Sequence, residues 1–267
     1  MTMKRNSILL VWLAIIFVFC GKKMITANET TVQMSQKELF DNAMSLREEG
    51  KKDAAMDMLK KIMDTCSNDE LKYTDAMIEQ CVIMRDMNNY DWKMKAVEAQ
   101  RKVKILLRTN YTNPEYWLVY AKFAALVDEE NHLTGAFKKA FFYKPNFIEG
   151  YILKGDLYSY FAKNTSPSST AANSAVTKKD NAMRTRNKEN SLRYIRGVKA
   201  KDAYYVALNS MSLDNKKKSY VFYKKGELEH IILSNKAEAI RNWKKAAEFD
   251  PDGIYGKISK ERLEIHE

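Results

Sequence analysis

The stretch AIRNWKKAAEFDPDG, residues 239–253, contains the pattern that decides the fold. Ala239, Trp243 and Ala246 stand at helical spacing, so two small residues share one face of a helix with a large ring. Pro251 follows the run and stops a helix, because proline has no backbone N–H to donate. The stretch therefore predicts a short amphipathic helix that packs closely on a neighbouring helix and ends at a defined turn.

Four segments of the chain repeat this order of small, large and turn-forming residues: 36–69, 114–147, the stretch from 148, and 219–253. Small residues recur where the two helices of a unit would approach closely, at Ala43, Ala55, Ala121, Gly155 and Ala239. Large residues stand where they would fill spaces between units, at Trp117, Tyr151 and Trp243. The recurrence indicates an array of helix pairs, since internal repeats of this length are typical of solenoids.

The pattern resembles the tetratricopeptide repeat (TPR), a helix-turn-helix unit of about 34 residues. The resemblance implies an all-α, right-handed solenoid of about four to five helix pairs, and the low content of 9 Gly and 4 Pro agrees with an all-α fold. Residues 70–112 read as a longer helix pair that turns at Asn88-Asn89, and 254–266 as a polar capping helix.

A change in composition divides the chain. Residues 162–190 are rich in Ser, Thr and Asn and poor in large apolar residues, which predicts a long disordered basic loop. The loop would separate TPR-like repeats at 36–161 from C-terminal TPR-like helices and a capping helix at 191–267, with helix resuming near Leu192. Residues 28–35 would form a linker.

The N-terminal residues 1–27 carry the pattern of an export signal or membrane anchor. Lys4 and Arg5 precede the apolar run ILLVWLAIIFVFC, residues 8–20, which is short for a membrane span. Three fates stay open: lipidation of Cys20 in a lipoprotein-like signal, cleavage after Ala27, or an uncleaved anchor. Each predicts an exported protein of the cell envelope, membrane-tethered or periplasmic, and therefore no nucleic-acid partner.

The resemblance also implies a binding surface, because the first helices of TPR units line a concave groove that receives proteins. The groove candidates are Phe40, Met44, Arg47, Leu118, Lys122, Leu126, Ile152, Asp156 and Tyr160. Their mixture of apolar and charged side chains favours a protein partner with an apolar anchor. We therefore expect an interaction scaffold or adaptor.

The positive charge suggests an alternative function. The formal net charge is +11, and residues 178–225 contain 14 Lys or Arg against 4 Asp or Glu. Such a segment favours a membrane surface or another anionic polymer. The candidates for contact with it are Lys178, Lys179, Arg184, Arg186, Arg193 and Arg196.

Motifs for catalysis or metal binding are missing from the sequence. None of the three His has a second ligand at metal-binding spacing, and there is no glycine-rich phosphate loop or nucleophile elbow. We therefore expect no enzyme, no cofactor and no metal, and an enzyme without a sequence signature ranks behind both binding functions. Cys66 and Cys81 are expected to be buried thiols.

Overall fold

The computed structural model of the chain describes residues 35–66, 69–165, 177–210 and 212–266, with the backbone alone described along 177–189. All regular structure in these residues is helical. The helices are α1 Gln36–Glu48, α2 Lys52–Thr65, α3 Glu70–Asp86, α4 Trp92–Thr109, α5 Pro114–Leu126, α6 Glu130–Tyr143, α7 Ile148–Lys163, α8 Thr177–Leu208, α9 Asn215–Ile231, α10 Lys236–Phe249 and α11 Ile254–His266. The chain divides into two compact units after Ile62.

The first unit contains α1 and most of α2. A capping box starts α1: the Ser35 side chain accepts from the Glu38 N–H, and the Glu38 carboxylate accepts from the Ser35 N–H at 2.7 Å. Gly50 turns the chain with a φ of +78°, a conformation that glycine adopts without steric cost. Ala43 and Ala55, two of the predicted small positions, are fully buried.

Helices in the second unit pack in antiparallel pairs: α3 with α4, α5 with α6, α7 with α8, and α9 with α10. Each first helix also packs on the next first helix, and each second helix packs on the first helix that follows it. Within the described residues, no second helix packs substantially on another second helix. This is the packing of an α-solenoid, so the predicted all-α solenoid is confirmed, with α11 spanning the residues expected for a capping helix.

Glycines of first helices allow the close packing within two of the pairs. A Cβ on Gly155 of α7 would lie 2.3 Å from the ring of Tyr204 of α8, and one on Gly226 of α9 would lie 2.5 Å from Nε1 of Trp243 of α10. Both rings are fully buried. Trp243 was expected to fill a space between units, but it packs on Gly226 within its own pair as well as against His266 of α11.

Helix α8 begins earlier than the sequence suggested. The expected start was near Leu192, at the end of a disordered stretch 162–190, whereas the helix begins at Thr177. The residues from Thr177 to Asn190 include Lys, Arg, Glu, Ala and Met, all of which have good helix propensity. The C-terminal part of α8 packs on α7 and completes the interrupted unit.

The interior of the second unit has two apolar clusters. One joins α3, α4 and α5 through residues such as Met77, Val103 and Phe123. The other extends from α5 to α9 and includes Phe137, Tyr158 and Tyr204. Cys66 and Cys81 are buried free thiols, and burial raises the pKa of Cys81 to about 11, so this thiol stays protonated and unreactive at neutral pH.

Candidate functional site

The first helices α3, α5, α7 and α9, together with α11, form one row in the second unit, and we call the face of this row the inner surface. Consecutive members of the row contact one another, whereas the second helices α4, α6, α8 and α10 lie apart from each other. A row whose members touch lies on the concave side of a solenoid, and a row whose members are spread lies on the convex side. The groove candidates of the second unit belong to this inner row.

A partly buried ionic cluster joins the first two members of the row. The Lys122 ammonium of α5 lies 2.7 Å from the Asp75 carboxylate and 3.2 Å from the Glu79 carboxylate, both of α3. Burial acts to lower the pKa of Lys122, but the two carboxylates outweigh it and raise that pKa above its ordinary value. Burial and the neighbouring Glu79 raise the pKa of Asp75. The cluster therefore keeps Lys122 charged and fixes α5 against α3.

A second polar link joins α7 to α9. Asp156 of α7 accepts hydrogen bonds from the hydroxyls of Tyr204 and Tyr220, each at 2.7 Å. Burial, followed by the Asp156 carboxylate, raises the pKa of Tyr220 well above its ordinary value, so this phenol remains a donor. Lys217 of α9 adds an ion pair to Glu149 of α7 at 3.0 Å.

Tyrosines cluster at the C-terminal end of the row, and we call Tyr220, Tyr223, Lys224 and Tyr255 the terminal aromatic cluster. The Tyr255 ring of α11 lies 4.8 Å from that of Tyr220 and 5.5 Å from that of Tyr223, between ring centroids. The Lys224 ammonium lies over both tyrosines of α9, at 5.4 Å and 5.9 Å. Arg262 of α11 pairs with Glu227 of α9 at 3.1 Å and fixes the two helices together.

The predicted groove residues of the second unit mostly take part in packing between helices. Leu126 is buried, and Leu118 and Ile152 pack against the larger apolar cluster. Lys122 and Asp156 belong to the two links above. Tyr160 lies beneath the guanidinium of Arg85, which is 5.0 Å from its ring centroid.

Three groove candidates, Phe40, Met44 and Arg47, lie on α1 in the first unit, where each is partly exposed. They remain predicted contact residues, since the structure holds no partner chain. The lipidation candidate Cys20 lies outside the described residues.

Two of the candidate cations of the basic segment 178–225, Arg193 and Arg196, have partners within the fold. Arg196 of α8 donates to the Glu130 carboxylate at 2.6 Å and to the Thr165 hydroxyl at 2.6 Å. Arg193 donates to the carbonyl of Ile231 at 2.9 Å. Burial opposes the effect, but Arg196 and Lys199 hold the pKa of Glu130 below its ordinary value. The remaining candidates Lys178, Lys179, Arg184 and Arg186 lie on α8, where only the backbone is described.

Sequence reasoning missed the terminal aromatic cluster. Tyr220 and Tyr223 lie on α9 and Tyr255 follows 32 positions later on α11, so no local pattern joins the three rings. The repeat register could have found them, because all three belong to first helices or to the capping helix that continues their row.

Two kinds of site do not occur in the residues that the structure describes. No group of three or more His, Cys, Asp and Glu side chains is arranged to hold a metal ion there. Nor does any of the described helices combine the length and the hydrophobicity needed to cross a membrane.

Several solved structures are similar to the chain. MamA protein is 15% identical, with a TM-score of 0.41 over 81% of this chain and 92% of that one. A thermophilic TPR protein from Thermus thermophilus is 12% identical, with a TM-score of 0.49 over 86% and 100%. A tetratricopeptide repeat protein from Parabacteroides merdae is 15% identical, with a TM-score of 0.28 over 87% and 98%. No family model and no curated protein matches the sequence.

Proposed function

We propose that the chain is a non-catalytic scaffold of the cell envelope that binds a protein partner along its inner surface. The observation that carries the proposal is the continuous contact of α3, α5, α7, α9 and α11, which makes one extended face from five helices. Extended faces of stacked helices are the surfaces that solenoid proteins use for binding.

The inner surface is preorganised. Lys122 holds α5 on α3, the Asp156–Tyr220 hydrogen bond holds α9 on α7, and Arg262 holds α11 on α9. A partner that binds to helices already fixed in place loses less free energy to ordering the receptor. The polar groove candidates therefore act by fixing the spacing of the helices, and the partner contacts lie beside them on the same row.

The terminal aromatic cluster is the best candidate for the contact that anchors a partner. Tyrosine offers a large apolar face and a hydroxyl with little side-chain entropy to lose, and it is enriched among the residues that dominate binding energy. Tyr223 and Tyr255 are only partly buried, and Lys224 places a positive charge over the rings. This chemistry suits an apolar or aromatic side chain of the partner that has a carboxylate nearby.

A pull-down with the full chain tests this proposal. Tyr223→Ala combined with Lys224→Ala removes the anchor without touching the Asp156 link, and we expect recovery of crosslinked partners to fall about tenfold or more. Tyr194→Ala combined with Tyr205→Ala, two exposed residues of α8, is the matched control and should keep the partners. Equal recovery with all three proteins, each with unchanged helicity, would refute binding at this cluster.

The envelope location rests on the sequence of residues 1–27, which lie outside the described part. Metabolic labelling with a fatty-acid analogue, comparing the wild type with Cys20→Ser, separates the lipoprotein alternative from the other two. Labelling that depends on Cys20 supports lipidation, and a soluble cytoplasmic protein that retains residues 1–27 would contradict export.

A further inference from the structure

Exposed side chains of α4 and α6 form a surface with an unusual composition, on the side of the solenoid opposite the inner surface. Six of them are cations: Lys93, Arg101, Lys104, Arg108, Lys138 and Lys139. The only exposed anion among the described residues of these two helices is Glu98. We call this face the α4–α6 outer surface, and its net charge is strongly positive.

Cations of this surface differ in their partners from the three cations that link helices of the inner row. Within the described part of the chain, none of the six makes an ion pair or a side-chain hydrogen bond, whereas Lys122, Lys217 and Arg262 are all paired with carboxylates. Their charges are therefore available to an external anion. The four cations of α4 run from Lys93 to Arg108, so they extend over about 22 Å of the helix.

Large apolar side chains stand among these cations. Met94, Val97 and Ile105 of α4, Phe142 of α6 and Tyr111 after α4 are between 51% and 74% exposed. The Tyr111 ring lies 6.4 Å from that of Tyr143, which in turn meets Phe142 at 5.1 Å. The C-terminal ends of α4 and α6 thus share one aromatic patch, and Arg108 and Lys139 lie close to it in sequence.

We propose that the α4–α6 outer surface docks on an anionic lipid membrane. Cations near such a surface each contribute to binding through its negative potential, and apolar and aromatic side chains enter the interfacial region beside the headgroups. Both components are present here on one face. A field of lipid headgroups also requires no fixed partner geometry, which fits cations spread along two helices.

The N-terminal segment adds to this proposal. Of the three fates open to the N-terminal residues, lipidation of Cys20 and retention of residues 8–20 as an anchor would each tether the chain to a bilayer, whereas cleavage after Ala27 would not. A single weak attachment gives marginal membrane binding, and a basic surface is a common second signal. An acidic protein would satisfy the cations as well, but it would leave the exposed apolar residues without the apolar medium that a bilayer provides.

Vesicle co-sedimentation of the full chain tests the proposal. It compares pure phosphatidylcholine vesicles with vesicles that contain about one-third phosphatidylserine. The wild type should partition more strongly onto the anionic vesicles, and the difference should shrink as salt is raised. Arg101→Gln combined with Lys104→Gln should lower partitioning onto anionic vesicles about 25-fold, and Phe142→Ser about tenfold.

Lys216→Gln combined with Lys257→Gln is the matched control, because it removes the same charge from exposed sites on α9 and α11. Partitioning of this control should stay near the wild-type value. The N-terminal segment is common to all variants, so its contribution cancels. Equal partitioning of the wild type and the Arg101 and Lys104 variant onto anionic vesicles would overturn the proposal. So would capture of an acidic protein through these residues with no preference between the two kinds of vesicle.

Discussion

Gly155 and Gly226 each make room for a buried ring of the second helix in their pair, Tyr204 and Trp243 respectively. A methyl group at either site would lie within 2.5 Å of a ring atom, far inside van der Waals contact. A buried ring has little space into which it can move, because protein interiors are close-packed. The close approach of the two helices therefore depends on the missing side chain.

We expect Gly155→Ala to lower the free energy of unfolding by about 2 kcal/mol, because the added methyl overpacks the Tyr204 ring. Gly135→Ala on α6 is the control, since a Cβ there meets nothing within 4 Å, and it should raise stability by about 0.5–1 kcal/mol. Urea unfolding followed by circular dichroism measures both. Equal changes in the two variants would show that the α7–α8 contact is looser than described.

Lys122 allows a prediction about the ionic cluster. Lys122→Met leaves Asp75 and Glu79 close together and without their cation, so it should cost about 3 kcal/mol of folding stability. Asp75→Asn is the matched change, and it should cost less than about 1 kcal/mol because Lys122 keeps Glu79 as its partner. Denaturant titration of both variants gives the comparison, and a larger loss for Asp75→Asn would contradict the arrangement.

The turns between paired helices show which local features the sequence predicts and which it does not. Gly50, Asn88, Asp128 and Ser234 each adopt a positive φ where a first helix passes to its second. The sequence predicted the turn at Asn88 because paired asparagines are common in such conformations. The turns at Asp128 and Ser234 are harder to predict, because Asp and Ser are also common at helix caps.

Helix α8 is an element whose start the sequence predicted wrongly. Its N-terminal half was predicted to be disordered because 162–190 lacks large apolar residues, yet helix propensity does not require them. The hydrophobic pattern that the sequence does provide, from Leu192 onward, marks the part that packs on α7 through Ala200 and Tyr204. The apolar periodicity of the sequence therefore predicted which part of α8 packs on α7. The start of the helix depends instead on helix propensity, which needs no large apolar residues.

Arg196 allows a prediction about the contact between α8 and α6. Its ion pair keeps the folded pKa of Glu130 below the unfolded value, so the pair stabilises the fold above about pH 4.5 and this contribution is lost as the pH falls through the folded pKa. Arg196→Ala should lower stability at pH 7 by about 1.5–3 kcal/mol. Its stability should also fall less than that of the wild type between about pH 5 and pH 3. Parallel pH profiles for the two proteins would contradict the ion pair.

The whole second unit presents two faces with different chemistry. On the inner surface Lys122 and Arg262 form ion pairs that connect consecutive helices, and the α4–α6 outer surface leaves its six cations unpaired within the described residues. The sequence predicted an anionic-surface site at 178–225 because positive charge was counted along the chain. In the fold, Arg196 and Lys217 of that segment are paired internally, while cations from a region with a smaller sequence excess gather on one side.

The groove residues show that a repeat pattern predicts the helix on which a residue lies but not its packing partners. Repeat register placed Lys122 and Asp156 on first helices, and the structure agrees with that placement. Their partners, Asp75 and Tyr220, lie 47 and 64 positions away, so the repeat pattern could not show that both groups take part in packing. Which side chains remain for a ligand depends on these distant pairs.

Site-specific photo-crosslinking of the full chain in cells tests most directly whether the inner surface binds a protein. A photoreactive amino acid replaces Tyr223 on the inner surface in one variant and Tyr205 on the exposed side of α8 in another. We expect a discrete crosslinked protein from position 223 and none from position 205. Crosslinks from position 205 to the same protein, with none from position 223, would contradict it.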